Sequence, residues 1–414
     1  MTDIQKENKS GGKVPNNPKQ IPNLRFPEFE GEWEVKKLGE IATFSKGKGI
    51  SKSEIEENGI TECIRYGELY THYREVINEI KSRTNVDKSA LVLSEENDVI
   101  IPASGETTID IATASCVLKP GIALGGDLNI IKSKNDGVFL SYYLNSKKKM
   151  EIANLAQGIS VVHLYSSQLA SLSLSLPTNQ EQEKISTFLA KISERIDCSI
   201  KIIEQLETLI KGLSENLFSQ KIRFKKFEKK WEVKTLGEIL IEINERTINS
   251  NQYRVLSSTA KGLFYQSDYF NKEVASKDNA GYKILKINQL VFSPQNLWLG
   301  NINVNTTYEI GIVSPSYKVF SFNEKAIVSY CKYFLKSSKM MFEYEQCSEQ
   351  GASIVRRNLN MDLFLNIPIL LPKLEEQIQI SSFLTKIDQK IQTEKAILEQ
   401  LEIQKKYLLQ QMFV

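Results

Sequence analysis

Several residue types and motifs are scarce or missing. Only two histidines, His72 and His163, occur in 414 residues. So little imidazole leaves few groups for acid–base work near neutral pH, and few ligands for zinc. The five cysteines (Cys63, Cys116, Cys198, Cys331, Cys347) are odd in number and form no Cys-x-x-Cys pair. That pattern predicts free thiols in a reducing compartment. No run of 18 apolar residues exists, so no helix of ordinary composition is expected to span a bilayer. Pro-Pro is absent, and with it the (Asp/Asn/Ser)-Pro-Pro-aromatic tetrad of amine methylation. GxxxxGK(S/T), HExxH and GxSxG are missing too. Glu34-Val-Lys36 and Glu232-Val-Lys234 resemble the end of a metal-dependent nuclease motif, but no well-placed Pro-Asp precedes them. SKGKGISK, from Ser45, reads as a strand-connecting loop in preference to a phosphate cradle. These absences point to a reader or a scaffold, not a catalyst.

What is present is a duplication. LRFPEFEGEWEVKKLGEI (24–41) returns as IRFKKFEKKWEVKTLGEI (222–239), 198 positions later. LPTNQEQEKISTFLAKI (176–192) returns as LPKLEEQIQISSFLTKI (371–387), and IIEQLE (202–207) as ILEQLE (397–402), at an offset of 195. Residues 42–175 and 240–370 share little identity. A period near 200 is far beyond solenoid repeats and marks a tandem duplication of domains. The expected organisation is a polar, disordered tail (1–22), a first unit (23–175), a helical block (176–221), a second unit (222–370) and a second helical block (371–414).

The helical blocks carry a heptad seam. In the first it is Ile185, Leu189, Ile192, Ile196, Ser199, Ile203, Leu206, Ile210, Leu213 and Leu217. In the second it is Ile380, Leu384, Ile387, Ile391, Glu394, Leu398, Leu401, Lys405, Leu408 and Met412. Both place a polar residue in the fifth slot, a device that commonly fixes register. Pro177 and Pro372 precede helices whose first turns are acidic. Some 40 residues would span roughly 60 Å. A generic dimerisation coil is one reading of such a seam. Two matched helices in one chain favour another: they pair antiparallel and relate the units by an approximate two-fold axis.

Inside the units, short apolar strands alternate with turns and one or two helical stretches, which predicts mixed α+β domains. Their loops gather side chains that read base edges or hold phosphates, interleaved with aromatics. In the first unit the candidates are Lys46, Lys48, Arg65, Tyr70, His72, Arg74, Ser104, Thr107 and His163. In the second they are Arg246, Arg254, Gln295, Asn296, Trp298, Ser353, Arg356 and Arg357. Charge alone does not reveal DNA binding. Residues 24–175 carry 17 Lys+Arg against 21 Asp+Glu (−4), and residues 222–370 carry 20 against 14 (+6). Any DNA affinity must come from locally placed charges.

The residues that join each unit to its helix resemble the specificity subunit of type I restriction–modification systems. The resemblance covers residues 20–414. It rests on a Gly-x-Ser loop (Gly158/Ser160; Gly351/Ser353), then Leu-Pro, then Glu-Gln-x-x-Ile (Glu181, Gln182, Ile185; Glu376, Gln377, Ile380), with Trp-x-x-x-x-Leu-Gly-Glu-Ile opening each unit. It implies two target recognition domains, each reading one half of a bipartite double-stranded DNA site, held apart by an antiparallel coiled coil. Half-sites one helical turn apart, roughly 34 Å, lie within reach of such a helix. It also implies a cytoplasmic, non-catalytic chain that docks two modification subunits and the restriction subunits. S-adenosylmethionine, ATP and Mg2+ would then belong to those partners. Glu181, Gln182, Ile185, Ile192, Leu206, Leu213, Glu376, Gln377, Ile380, Ile387, Leu401 and Leu408 are the expected spacer and docking positions. The first loop of each unit departs from the family's small-residue pattern. A protein–protein scaffold is the competing reading, with an enzyme of unrecognised site and an acidic DNA mimic behind it.

Overall fold

The computed structural model describes residues 20–158, 160–270, 278–350 and 357–414. Most of the expected tail therefore lies outside the described residues. The chain forms two compact units, residues 1–199 with 397–414, and residues 200–396.

The repeated blocks build the same frame in each unit. Strand Glu34–Lys37 pairs antiparallel with strand Ser173–Leu176, Glu34 opposite Leu176. Strand Glu232–Thr235 pairs likewise with Pro368–Leu371, Glu232 opposite Leu371. The opening of each unit is thus tied to the segment that launches its helix. Leu-Gly-Glu follows each opening strand as a single turn, and its glycine lies in tight packing. A Cβ on Gly39 would sit 3.0 Å from the Ala170 Cβ, and one on Gly237 would sit 3.2 Å from the Leu365 carbonyl oxygen.

The helices run over Asn179–Phe218 and Leu374–Gln411, 40 and 38 residues. Every seam position is buried or half-buried, as the heptads require. In the first unit Ile185 and Leu189 share a core with Leu408 and Met412. In the second, Leu217 shares a core with Ile380 and Leu384, and Lys395 Nζ lies 2.6 Å from Glu207 Oε1. Rising numbers on one helix meet falling numbers on the other, so the segments run antiparallel in each unit. The fifth-slot polar residues are inside, Ser199 2% and Glu394 7% exposed. Glu394 is held by Lys390, at 2.8 Å. Lys405, also in the seam, reaches Glu75 at 2.9 Å, both largely buried.

The central sheets correspond. The first unit orders its strands Ala42–Lys46, Leu128–Ser133, Asp98–Pro102, Ser115–Val117 and Val76–Ile77. The second orders Leu240–Ile243, Lys318–Phe322, Leu290–Phe292 and Ile302–Val304. Period-two alternation sorts the side chains. Val99 and Ile101 join the core under the helices, while Ile100 faces a second layer with Ile64 and Leu124. Leu290 and Phe292 against Val291 repeat the division. The stretch after each sheet holds two helices, within the one or two expected: Gly137–Ser146 and Lys149–Leu155, then Val328–Phe334 and Ser338–Gln346. The first break falls where the amides of Lys147 and Lys148 both donate to the Tyr143 carbonyl. The second falls at Ser337, whose hydroxyl caps Met340.

The second layers differ. The first unit has a four-stranded sheet ordered Ser82–Thr84, Thr61–Ile64, Ala123–Leu124, Val92–Leu93. The second has two antiparallel pairs, the hairpin Leu256–Thr259 with Gly262–Tyr265 and the non-sequential pair Lys283–Lys286 with Ile310–Val313. The cysteines are free, four of them buried. Burial pushes the Cys63 thiol up to about 11, so it stays protonated at neutral pH.

Candidate nucleic-acid interface

The variable loops of each unit hang from a frame held by one clasp. Arg25 donates from Nε and Nη2 to the two carboxylate oxygens of Glu181, at 2.8 and 2.7 Å. Arg223 does the same to Glu376, at 2.7 and 2.8 Å. A bidentate fork is the strong form of such a pair. The next residue works on the backbone. Gln182 donates to the Pro177 carbonyl and accepts from the amide of Asp136, at 3.0 and 3.1 Å. Gln377 donates to the Pro372 carbonyl and accepts from the amide of Ile327, at 2.9 and 2.8 Å. Glu181, Gln182, Glu376 and Gln377 are all buried and bonded inside their own units. The clasp orients the strand, the helix and the helical pair behind the sheet relative to one another.

In the first unit, Lys46 is exposed at the end of strand Ala42–Lys46 and Lys48 on the loop that follows. That loop crosses the Gly125–Gly126 turn. Its amides are used there, Gly47 donating to Leu128 and Lys48 to Leu124, at 3.0 and 2.9 Å. A Cβ on Gly47 would come within 1.9 Å of the Gly125 oxygen. The loop is a strand connection with no free amide nest at those positions. Ser104 and His163 are register partners in a short two-stranded ribbon. The exposed His163 ring stacks near Tyr165, and Lys46 Nζ lies 5.9 Å over the same tyrosine. The fold therefore unites Lys46, Ser104 and His163, from three distant stretches. Thr107 caps the turn that follows, accepting from the amide of Asp110. Tyr70 is half-buried near that turn; its hydroxyl is raised by burial, with Tyr66, Glu106 and Asp110 adding to the effect. Arg65 is engaged by Glu68 at 3.3 Å, and Arg74 by Asp197 of the long helix at 3.5 Å. His72 is exposed.

The second unit matches this with other residues. The loop Gln295–Trp298 follows the central strand Leu290–Phe292, as Ser104–Thr107 follows Asp98–Pro102. Strand Arg357–Leu359 returns to it, the Arg357 amide donating to the Gln295 carbonyl at 3.1 Å. The Arg357 guanidinium lies 4.1 Å over the Trp298 ring and 3.1 Å from Glu345. Asn296 Oδ1 and Trp298 Nε1 are buried without a partner among the described residues. Arg254 lies elsewhere in this unit, stacked 3.4 Å over Tyr265 and paired with Asp268. Arg246 donates to the Gly281 carbonyl at 2.8 Å. Ser353 and Arg356 lie outside the described residues. The sequence reading missed Tyr165, Tyr265, Asp268 and Glu345, the supports of the nominated cations. Only an aromatic near a basic residue could have signalled them, and the partners are not adjacent in the chain. Among the described residues no group of three or more His, Cys, Asp and Glu could hold a metal ion.

A profile described as the type I restriction modification DNA specificity domain matches residues 30–208 and again 228–403. Both matches run from an opening strand into a long helix. The chain belongs to this family. Its role is DNA recognition within a type I restriction–modification complex. Among curated proteins, the specificity subunit of the type I restriction enzyme MjaVIII from Methanocaldococcus jannaschii is 25% identical, covering 94% of this chain and 93% of its own. The EcoR124I/EcoR124II specificity subunit of Escherichia coli is 27% identical over half of this chain and 48% of its own. Among solved structures, the type I S subunit from M. genitalium superposes with a TM-score of 0.62 at 16% identity, covering 95% of this chain and 99% of that one. At that identity the likeness speaks for the fold. For a type I specificity protein the double clasp has a plain meaning. The frame is fixed twice, while the loops it carries are free to differ. No helix among the described residues is long and apolar enough to cross a membrane.

Proposed function

We propose that residues 23–175 and 222–370 are two target recognition domains, each reading one half of a bipartite double-stranded DNA site. Residues 176–221 and 371–414 serve as the spacer on which two modification subunits dock, with the restriction subunits joining the assembly. One observation carries the reading: the clasp is built twice from matched residues, and the loops on the same edge of each sheet share almost none. Lys46, Ser104 and His163 in one unit, and Gln295, Trp298, Arg254 and Arg357 in the other, are the contacts we assign to DNA. Lys48, Thr107 and His72 extend the first set, and Arg246 the second. The cell compartment we assign is the cytoplasm, where DNA and the partner subunits meet.

The test maps methylated bases in DNA from cells that express the chain with a matching modification subunit. The expected result is a split motif, two short defined halves around a fixed gap. Replacing residues 222–370 by those of a relative should rewrite one half only. A stable complex that leaves DNA unmethylated would favour the protein scaffold.

A further inference from the structure

The two units hold their cations differently. In the second, two arginines lie flat on aromatic rings, Arg254 3.4 Å from the Tyr265 centroid and Arg357 4.1 Å from that of Trp298. Each is also tied to one carboxylate, Arg254 to Asp268 at 3.4 Å and Arg357 to Glu345 at 3.1 Å. Among the described residues of the first unit no arginine is stacked on a ring. The stacked cations there are lysines, Lys46 among them.

A guanidinium held between a ring and a carboxylate has lost most of its freedom before any ligand arrives. One acid occupies a single nitrogen of the fork in each case. The planar, five-donor group keeps further N–H bonds for a second planar acceptor. The O6/N7 edge of guanine in the major groove is such an acceptor, and bidentate arginine is its commonest specific partner. An ammonium is a point charge and cannot reproduce the fork. Resting on the two-domain reading above, we infer that Arg254 and Arg357 each read a guanine, so that the half-site assigned to residues 222–370 contains two G·C pairs set by these forks.

The experiment uses the complex of the full chain with its modification subunit, on a DNA library randomised in both half-sites, with methylation of each sequence as readout. Arg254→Lys and Arg357→Lys keep the charge, and a thermal melt of each complex monitors the fold. Each variant should lose roughly 10-fold or more of its preference for guanine at one position of one half-site. The other half-site should be unchanged. Glu345→Gln, which loosens the fork without touching the arginine, should relax the Arg357 position part of the way. A half-site without guanine, or an unchanged base profile in both lysine variants, overturns the arginine assignment while leaving two-domain reading intact. Absence of any split motif defeats the two-domain reading itself.

Discussion

Trp33 and Trp231 open the two units from closely matched sequence, yet their indole nitrogens end differently. Trp33 Nε1 donates to Glu181 at 3.3 Å; Trp231 Nε1 is buried with no partner among the described residues. The clasp beside them is nevertheless the same, down to the two nitrogens used by each arginine. The comparison separates what the frame demands from what it tolerates. It demands a bidentate arginine and a glutamine that ties helix start to sheet. It tolerates changes one shell out. Tyr142 meets Ser193 where Tyr333 meets Asp388, and Lys332 joins the second pair at 2.6 Å.

The clasp is the place to break the equivalence. Arg25→Ala leaves Glu181, 1% exposed, as a buried carboxylate without its cation, keeping only the Trp33 bond; Arg223→Ala likewise strips Glu376 of its cation. Losing one partner of a buried pair costs about 3–5 kcal/mol. Denaturant melts should show both losses at similar size, and a tenfold smaller effect in either unit would end the claim of a shared frame. Next come Leu189→Ala and Leu384→Ala, matched seam positions that are both fully buried. Each should cost about 2–5 kcal/mol through lost burial and a residual cavity. Leu206 and Leu401, half-buried, should respond less to the same truncation.

Gly47→Ala tests an element the second unit lacks. The new methyl would overlap the Gly125 oxygen, so the crossing of the two loops must open. A cost of about 1–3 kcal/mol is expected, with changed reading of one half-site only. The smallest effect concerns pH. The Thr235 amide donates to Glu238 and holds its carboxyl below the usual range; the ion pair with Lys373 does so for Glu232. A depressed folded value stabilises the charged form. That contribution is present above the ordinary glutamate range and fades as pH falls through and below it. Glu238→Gln should therefore lower the neutral plateau of a stability–pH curve slightly and leave its acid end almost unmoved, flattening the limb between them.

Much of the frame was legible before any coordinates. The heptad slots all came out buried or half-buried, because a seam must face its partner about once per turn. The strand before Leu-Pro and the strand after the tryptophan were readable as apolar runs, though nothing in their composition says that they pair with each other. Glu181 and Gln182 were readable as part of a motif at a helix start. Their burial was not, because acidic residues in a first turn are ordinarily solvated and favoured by the helix dipole alone. An arginine 156 residues upstream draws Glu181 inward. The loops were the least legible part. Lys46 and His163 are 117 positions apart, and their meeting beside Tyr165 depends on strand order in the sheet.

The sequence by itself determined that the chain is a duplication, that its helices carry an apolar seam, and that its variable segments are rich in base-reading side chains. Those properties are periodic or compositional, and each residue carries its share without reference to distant ones. The tertiary structure alone decided which arginines lie on rings, which glutamates turn inward, and which loops share an edge. Those are relations between residues far apart in the chain. Strand pairing and core packing set them, and no local propensity encodes that geometry.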